Sequence, residues 1–161
     1  MFADDCKLYF SFAKDEIPTN LQREIDILYQ WTKQMQLQLA IEKCAALHLG
    51  TKNPQTIYKI GGHAIENVDN MRDLGIIVSK DLQFSKHCQT LVKLAGQRMN
   101  CILRSFQSRN TKFLIKCFIT FVRTKLEYGS QIWSPYQLDD IDLVESIQRE
   151  FTRRIPAIKV Y

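Results

Sequence analysis

Two adjacent carboxylates near the start of the chain are the residues best suited to catalysis. The string Phe2-Ala3-Asp4-Asp5 precedes a segment in which apolar and polar residues alternate. Phosphoryl transfer to a 3′-hydroxyl commonly uses two Mg²⁺ ions about 3.5–4 Å apart, held by carboxylates. Mg²⁺ prefers oxygen ligands, so Asp4 and Asp5 are candidate metal ligands and catalytic residues. Asp-Asp pairs also cap turns and helices, and that interpretation stays open at this point.

The first half of the chain must hold this turn, and its pattern predicts a small antiparallel sheet with one packed helix. Residues 6–13 alternate, which predicts a strand. Thr19 opens a helix whose apolar residues recur at helical spacing and predict one buried stripe, formed by Leu21, Ile25, Leu28, Trp31 and Met35. The later strand-like segments predict two hairpins and one further strand, at residues 37–41 with 45–49, 57–60 with 63–65, and 73–79.

The second half has helical periodicity and predicts a three-helix unit. Ser85, Asn110 and the pair Asp139-Asp140 are suited to begin the helices, and Gly129 is suited to end the second. The aromatic residues on apolar stripes are predicted to be core: Trp31, Phe118, Phe121 and Phe151. The sequence therefore predicts an α+β fold with a boundary near Asp81, dividing the chain into residues 1–81 and 82–161.

Positive charge is concentrated in the predicted helices. The net charge is +5, and residues 82–126 contain no Asp or Glu. A basic face of this kind is typical of phosphate binding, although a solvated helix surface is the alternative. The candidate nucleic-acid-binding residues in this stretch are Lys86, Lys93, Arg98, Arg104, Arg109, Lys112 and Lys116.

Composition argues against several other classes of protein. The longest apolar runs fall short of the roughly 18 residues that a membrane span needs, so no membrane partner is expected. The five cysteines are odd in number and none are spaced C-x-x-C, which argues against a disulfide framework or a zinc site. The acidic start does not suit a signal peptide, so an intracellular location, nucleus or cytoplasm, is expected.

Taken in order, the motifs resemble the reverse transcriptase of non-LTR (LINE-type, jockey-like) retrotransposons, from the Asp-Asp turn of the palm through the thumb. The resemblance covers essentially the whole chain. The matching strings are Phe2-Ala3-Asp4-Asp5, the tryptophan-containing helix with Lys43-Cys44 after it, Leu74-Gly75-Ile76, Leu82-x-Phe84-Ser85-x-His87, Leu126-Glu127-Tyr128-Gly129-Ser130-x-x-Trp133, Ile147-Gln148-Arg149 and Arg153-Arg154-Ile155-Pro156.

The resemblance implies a role for each matching residue. Asp4 would be the principal Mg²⁺ ligand of the turn and Asp5 the secondary one. Lys43 would assist the leaving pyrophosphate, or else be a solvated turn lysine. Gly75 would let the backbone approach the primer, or else mark a bulge or close strand packing. The basic helices would hold an RNA template and a DNA primer.

The chain departs from the family pattern in ways that bear on activity. The family's fingers, its nucleotide-selecting segment and a further metal-binding Asp would precede residue 1, and Ala40 stands where the family usually has Asn. The isolated chain is therefore expected to be inactive, and whether it acts as an enzyme stays open. An exposed apolar patch is expected at Leu8, Phe10 and Phe12. The alternative functions are a basic helical nucleic-acid-binding module and a remnant without function.

Overall fold

The computed structural model describes residues 6–11, 19–50, 53–106 and 110–155 of an α+β protein. Two compact units follow each other along the chain, Met1–Met71 and Arg72–Tyr161. This boundary lies ten residues before the one expected at Asp81, because the strand Ile76–Ser79 packs against the first helix of the second unit. None of the helices in the described ranges is long and apolar enough to cross a membrane.

In its described residues, the first unit contains one long helix and four short strands. Helix α1 spans Thr19–Gln34, and a 3₁₀ turn spans Ile41–Lys43. The strands are β1 (Ala45–Leu47), β2 (Lys59–Ile60), β3 (His63–Ala64) and β4 (Glu66–Val68). β1 pairs with β4 in parallel, and β2 pairs with β3 in antiparallel orientation.

Helix α1 is held to strand β2 by one side-chain amide. Nε2 of Gln22 donates to the carbonyl oxygen of Lys59 across 2.8 Å, and the backbone N–H of Lys59 donates to Oε1 of Gln22 across 2.9 Å. This pair of hydrogen bonds reproduces the exchange between two paired strand residues. A helix side chain therefore occupies the free edge of a two-residue strand.

Several expectations for the first unit are wrong. Residues 6–11 form no strand, although residues 12 and 13 of the predicted one lie outside the described ranges. Residues 37–41 and 45–49 do not form a hairpin, because the chain turns through Ile41–Lys43 and β1 pairs with the distant β4. The single antiparallel sheet is replaced by separate two-stranded sheets. The hairpin around Gly61-Gly62 is confirmed as β2–β3.

The apolar stripe of α1 is only partly buried. Ile25 is buried, whereas Trp31 and Met35 keep 46% and 56% of their surface exposed, so the predicted continuous stripe is wrong at its C-terminal end. Leu8 and Phe10 are 46% and 41% exposed, which confirms the expected exposure of these two side chains. Phe12 lies outside the described residues.

The second unit begins within a β hairpin. Strand β5 spans Asn70–Asp73 and strand β6 spans Ile76–Ser79, so the single strand predicted at residues 73–79 is in fact two. Leu74 and Gly75 between them have φ of 45° and 89°. Two successive positive φ values are typical of the tight turn that matches the twist of a hairpin.

Helices form most of the remaining described residues of the second unit. Helix α2 spans Ser85–Ser105, and α3 spans Thr111–Phe118. A π-helical turn, Ile119–Arg123, joins α3 to α4 (Thr124–Leu126), so these three segments form one rod. A single turn, α5 (Ser130–Trp133), precedes α6 (Leu138–Arg154). The described part of this unit therefore contains three long helical rods, as the sequence predicted.

Local signals for these helices are confirmed in part. Helix α2 begins at Ser85 as predicted, but Ser85 lies inside the helix and no side chain caps this end. The side chain of Asn110 accepts a hydrogen bond from the backbone N–H of Phe113 across 3.2 Å, which caps α3. Gly129, with φ of +66°, ends the rod that begins at Thr111. Helix α6 begins at Leu138, one residue before the predicted Asp139-Asp140 cap, and Asp140 is buried inside its first turn.

The core of the second unit lies between α2, the rod and α6. The rings of Phe118 and Phe151 stack with centroids 4.2 Å apart and an interplanar angle of 23°. Leu114, Val122 and Ile155 are fully buried around them. The prediction of core positions is thus confirmed for Phe118 and Phe151, whereas Phe121 is 53% exposed.

Candidate nucleic-acid interface

Three basic residues form a straight row along α2. Lys93 and Arg104 follow Lys86 by 7 and 18 residues, close to two and five full turns at 3.6 residues per turn. All three are exposed, and the buried residues Ala95 and Met99 lie on the opposite side of the helix. At a rise of 1.5 Å per residue the row is about 27 Å long. We call these three residues the α2 row.

The first turn of α2 is anchored on two sides, which orients the start of this row. Oγ of Ser85 donates to the buried carboxylate of Asp140 on α6 across 2.5 Å. Nδ1 of His87 accepts from the backbone N–H of Ile77 on β6 across 3.3 Å. Lys86 lies between these two anchors in the sequence and is itself exposed. The anchors therefore fix the direction in which this end of the α2 row faces solvent.

Ion pairing with described carboxylates separates the exposed cations of α2 and α3 from those elsewhere in the same unit. Arg123 pairs with Glu127 at 2.6 Å, Arg149 with Asp142 at 3.3 Å, and Arg154 with Glu150 at 2.5 Å. Within the described ranges, no carboxylate forms an ion pair with the α2 row or with the exposed residues Arg98, Lys112 and Lys116. Their charge is therefore available to an external anion.

Helix α3 adds two cations to the interface. Lys112 and Lys116 are four residues apart and both exposed, so they lie on one side of the helix. Asn110 caps the helix just before them. The predicted residues Lys86, Lys93 and Arg104 thus share one helix face, and Lys112 and Lys116 share another.

Arg98 does not belong to the α2 row. It lies 12 residues after Lys86, which turns it about 120° around the helix. Its guanidinium donates instead to the carbonyl oxygen of Phe121 in the π-helical turn, with Nη1 and O 3.5 Å apart. Arg98 and Phe121 are therefore neighbours on the surface, a pairing that the sequence did not indicate.

Gly75 is required by the hairpin turn itself. Its φ of +89° is in the region that favours glycine, and a Cβ atom there would meet only the Tyr128 ring, at the ordinary distance of 3.5 Å. The Tyr128 hydroxyl donates to the carbonyl oxygen of Leu74 across 3.0 Å, and the Trp133 indole donates to the carbonyl oxygen of Tyr128 across 2.7 Å. The turn is thus tied to the end of the long rod, and approach of a primer to Gly75 stays a prediction.

The predicted catalytic residues are not brought together by the described part of the structure. Asp4, Asp5 and Arg109 lie outside the described residues. Lys43 is exposed at the end of the 3₁₀ turn in the first unit. Within the described ranges, no three His, Cys, Asp or Glu side chains are grouped so that they could hold a metal ion. The Mg²⁺ site and the role of Lys43 therefore stay predictions.

Burial changes the chemistry of two residues beneath the surface. Burial, followed by the nearby guanidinium of Arg72, lowers the pKa of His87 below its usual 6.5. Burial, with a smaller contribution from the carboxylate of Asp140, raises the pKa of the Cys88 thiol to about 11. Both residues are inside the helix packing, so we assign them structural rather than chemical roles.

Known proteins offer limited similarity to this chain. No protein-family model matches it, and no solved structure matches it. It is 28% identical to the uncharacterized protein B0403.1 of Caenorhabditis elegans over 87 residues, which are 54% of this chain. The match spans 44% of that protein's length.

Proposed function

We propose that this chain is the palm-to-thumb part of a non-LTR retrotransposon reverse transcriptase, whose second unit binds the phosphate backbone of an RNA template and DNA primer. The observation that supports this most directly is the α2 row, in which Lys86, Lys93 and Arg104 are exposed, aligned and free of ion pairs with described carboxylates. The order of the sequence motifs, from the Asp-Asp turn to Pro156, is the reason for proposing this family.

Phosphate binding follows from the charge arrangement by elementary electrostatics. A carboxylate that pairs with a cation largely neutralises its positive charge, so the cation attracts an external anion only weakly. An unpaired exposed cation attracts phosphates and displaces their counterions. In this proposal the α2 row contacts the phosphate backbone of the nucleic acid and not the edges of its bases. Such contacts provide binding affinity without sequence preference. A polymerase that copies any template needs binding of this kind.

The catalytic part of the proposal concerns Asp4 and Asp5, which lie outside the described ranges, and Lys43, which is exposed in the first unit. Asp4 and Asp5 would hold Mg²⁺, which lowers the barrier to attack of a 3′-hydroxyl on a phosphate by stabilising the developing charge. Lys43 is proposed to assist the leaving pyrophosphate. We expect no primer extension by the 161-residue chain alone, because the residues that select and position the nucleotide in this family have no counterpart in it.

A basic binding module without any link to polymerisation is the second candidate function. It is favoured by the independence of the second unit, which has its own core built around Leu114, Phe118 and Phe151. Both functions require phosphate binding. Only the first requires that the Asp-Asp turn and Lys43 contribute to catalysis when a complementary polymerase part is supplied.

Binding to an RNA–DNA hybrid at several salt concentrations tests the shared requirement. We compare the wild-type chain with the variant in which Lys86, Lys93 and Arg104 are all changed to Gln. The slope of log affinity against log salt should become about 3 less steep, since each lost phosphate contact removes about 0.9. Affinity should fall correspondingly at low salt.

The chain offers a control with the same loss of charge. Changing Arg123, Arg149 and Arg154 to Gln also removes three positive charges, but these three residues are paired with carboxylates. We expect this variant to keep nearly the wild-type slope. Equal loss of binding in both triple variants, or hybrid binding that is insensitive to salt, would contradict the proposed role of the α2 row.

A further inference from the structure

We infer that Phe121 is a stacking platform for an unpaired base, so that the second unit also binds single-stranded nucleic acid next to Arg98. This inference rests on the proposed phosphate binding and extends it, because it adds contact with a base and selects a single strand over a duplex. The spacing of Phe121 predicted a position in the core, whereas its side chain is 53% exposed.

The π-helical turn is the reason that Phe121 faces solvent. In an α-helix, Phe118, Phe121 and Val122 would share one side. The turn Ile119–Arg123 contains a wider backbone repeat, which shifts the residues within it around the axis. Phe118 and Val122 stay buried at 6% and 0% exposure, while Phe121 is 53% exposed. A large aromatic ring is therefore open to solvent at a helix irregularity, a feature common at functional sites.

The surroundings of the ring are basic. The guanidinium of Arg98 is held by the carbonyl oxygen of Phe121 itself, and Lys125 follows Phe121 by four residues, about one helical turn. The first acid after Phe121, Glu127, is engaged by Arg123 at 2.6 Å. An apolar protein partner would cover Arg98 without compensating its charge. A ligand with a flat apolar face and flanking negative charge fits better.

A single-stranded nucleic acid has this combination of features. Every base has a π face that stacks on an aromatic ring, and the adjoining phosphates attract the flanking cations. In a duplex the faces of internal bases are covered by their neighbours, so an exposed ring on a convex helix surface gains nothing from them. The geometry around Phe121 therefore favours an unpaired strand, with Arg98 and Lys125 contacting its phosphates.

Binding of the full chain to three probes tests this inference. The probes are an oligothymidylate strand, an abasic strand of the same length, and an RNA–DNA hybrid. The variants are Phe121→Leu, which removes the ring but keeps an apolar side chain, and Phe121→Trp, which keeps stacking. Ile119→Ala is the matched control, because Ile119 is 46% exposed in the same turn and has no π face.

We expect Phe121→Leu to weaken oligothymidylate binding about tenfold, as loss of one stacked base implies. Phe121→Trp and Ile119→Ala should stay within about twofold of wild type. On the abasic strand, Phe121→Leu and wild type should bind equally, because the phosphates remain and the bases are gone. Hybrid binding should be unchanged in all three variants.

The outcomes separate this inference from the proposed function. If Phe121→Leu leaves oligothymidylate binding unchanged, or weakens the abasic strand equally, while the hybrid still binds, the stacking platform is wrong and phosphate binding stands. If Phe121→Leu weakens the hybrid as much as the single strand, the selection of a single strand is wrong. If neither the strands nor the hybrid binds, both proposals fail.

Discussion

Nδ1 of His87 accepts a hydrogen bond from the backbone N–H of Ile77 across 3.3 Å. An imidazole can accept at Nδ1 only when that nitrogen carries no proton, so the contact requires the neutral ring. The ring is 4% exposed and lies edge-on to Trp133, with centroids 5.1 Å apart. Its other nitrogen, Nε2, is buried without a hydrogen-bond partner among the described residues. Protonation would therefore disrupt this link between β6 and α2.

Acid should destabilise the second unit through His87. Because the folded pKa is below 6.5, the folded state binds fewer protons than the unfolded chain as pH falls. Stability is therefore fully present above about pH 6.5 and decreases below it, by at most about 1.4 kcal/mol per pH unit. Urea unfolding between pH 7.5 and 5.5, followed by Trp133 fluorescence in a Trp31→Phe background, measures this.

Two variants isolate the contribution of His87. Asn at position 87 does not titrate and offers a carbonyl oxygen to the Ile77 N–H, so His87→Asn should flatten the pH dependence in this range. His63 is exposed, and His63→Asn should leave the pH dependence of stability unchanged. An unaltered acid response in His87→Asn would show that another group is responsible.

Substitution by alanine should change the stability of the second unit in opposite directions at Gly129 and Gly96. Gly129 has φ of +66°, and a Cβ atom there would lie 2.8 Å from Cδ1 of the buried Ile76. We expect Gly129→Ala to lower the free energy of unfolding by about 1–2 kcal/mol or more. Gly96 lies within α2, where a Cβ atom would be 3.6 Å from Cδ1 of Ile147, an ordinary contact. Gly96→Ala should raise the free energy of unfolding by about 0.5–1 kcal/mol.

Thermal or urea unfolding of the two variants alongside wild type measures the difference. The comparison is controlled internally, because both variants add the same methyl group to the same unit. A Gly96→Ala variant that is destabilised as much as Gly129→Ala would mean that α2 packs more tightly against α6 than the contact distance indicates.

The Cys88 thiol should be unreactive in the folded protein. Its side chain has no exposed surface, and burial raises its pKa to about 11, so little thiolate exists at pH 8. Cys101 on the same helix is exposed and should react with a disulfide reagent. Peptide mapping after labelling at pH 8, with and without urea, should find Cys88 modified only in urea. Labelling of native Cys88 as fast as Cys101 would contradict this.

Local sequence signals determined much of the second unit. The side chain of Asn110 caps α3 because its oxygen is within reach of the backbone N–H of Phe113, an interaction that needs only nearby residues. Gly129 ends the long rod because glycine tolerates a positive φ. The alignment of the α2 row also follows from spacing, since Lys86, Lys93 and Arg104 share a face of any α-helix.

Long-range pairing decided what the sequence left open. Strand β1 pairs in parallel with β4 rather than with its neighbour, because a short alternating segment specifies a face but not a partner. The sequence also did not indicate that residues 73–79 comprise the end of β5, a turn and β6, since a positive φ at Leu74 is unusual for leucine.

The sequence by itself determined the α+β class, the three helical rods and the distribution of charge, because these depend on periodicity and on neighbouring residues. Only the tertiary structure decided that Phe121 is exposed while Val122 is buried, since one π-helical turn rotates the register against the core. It also decided that Asp140 accepts from Ser85 instead of capping its own helix, because the two residues meet only when α2 and α6 pack together.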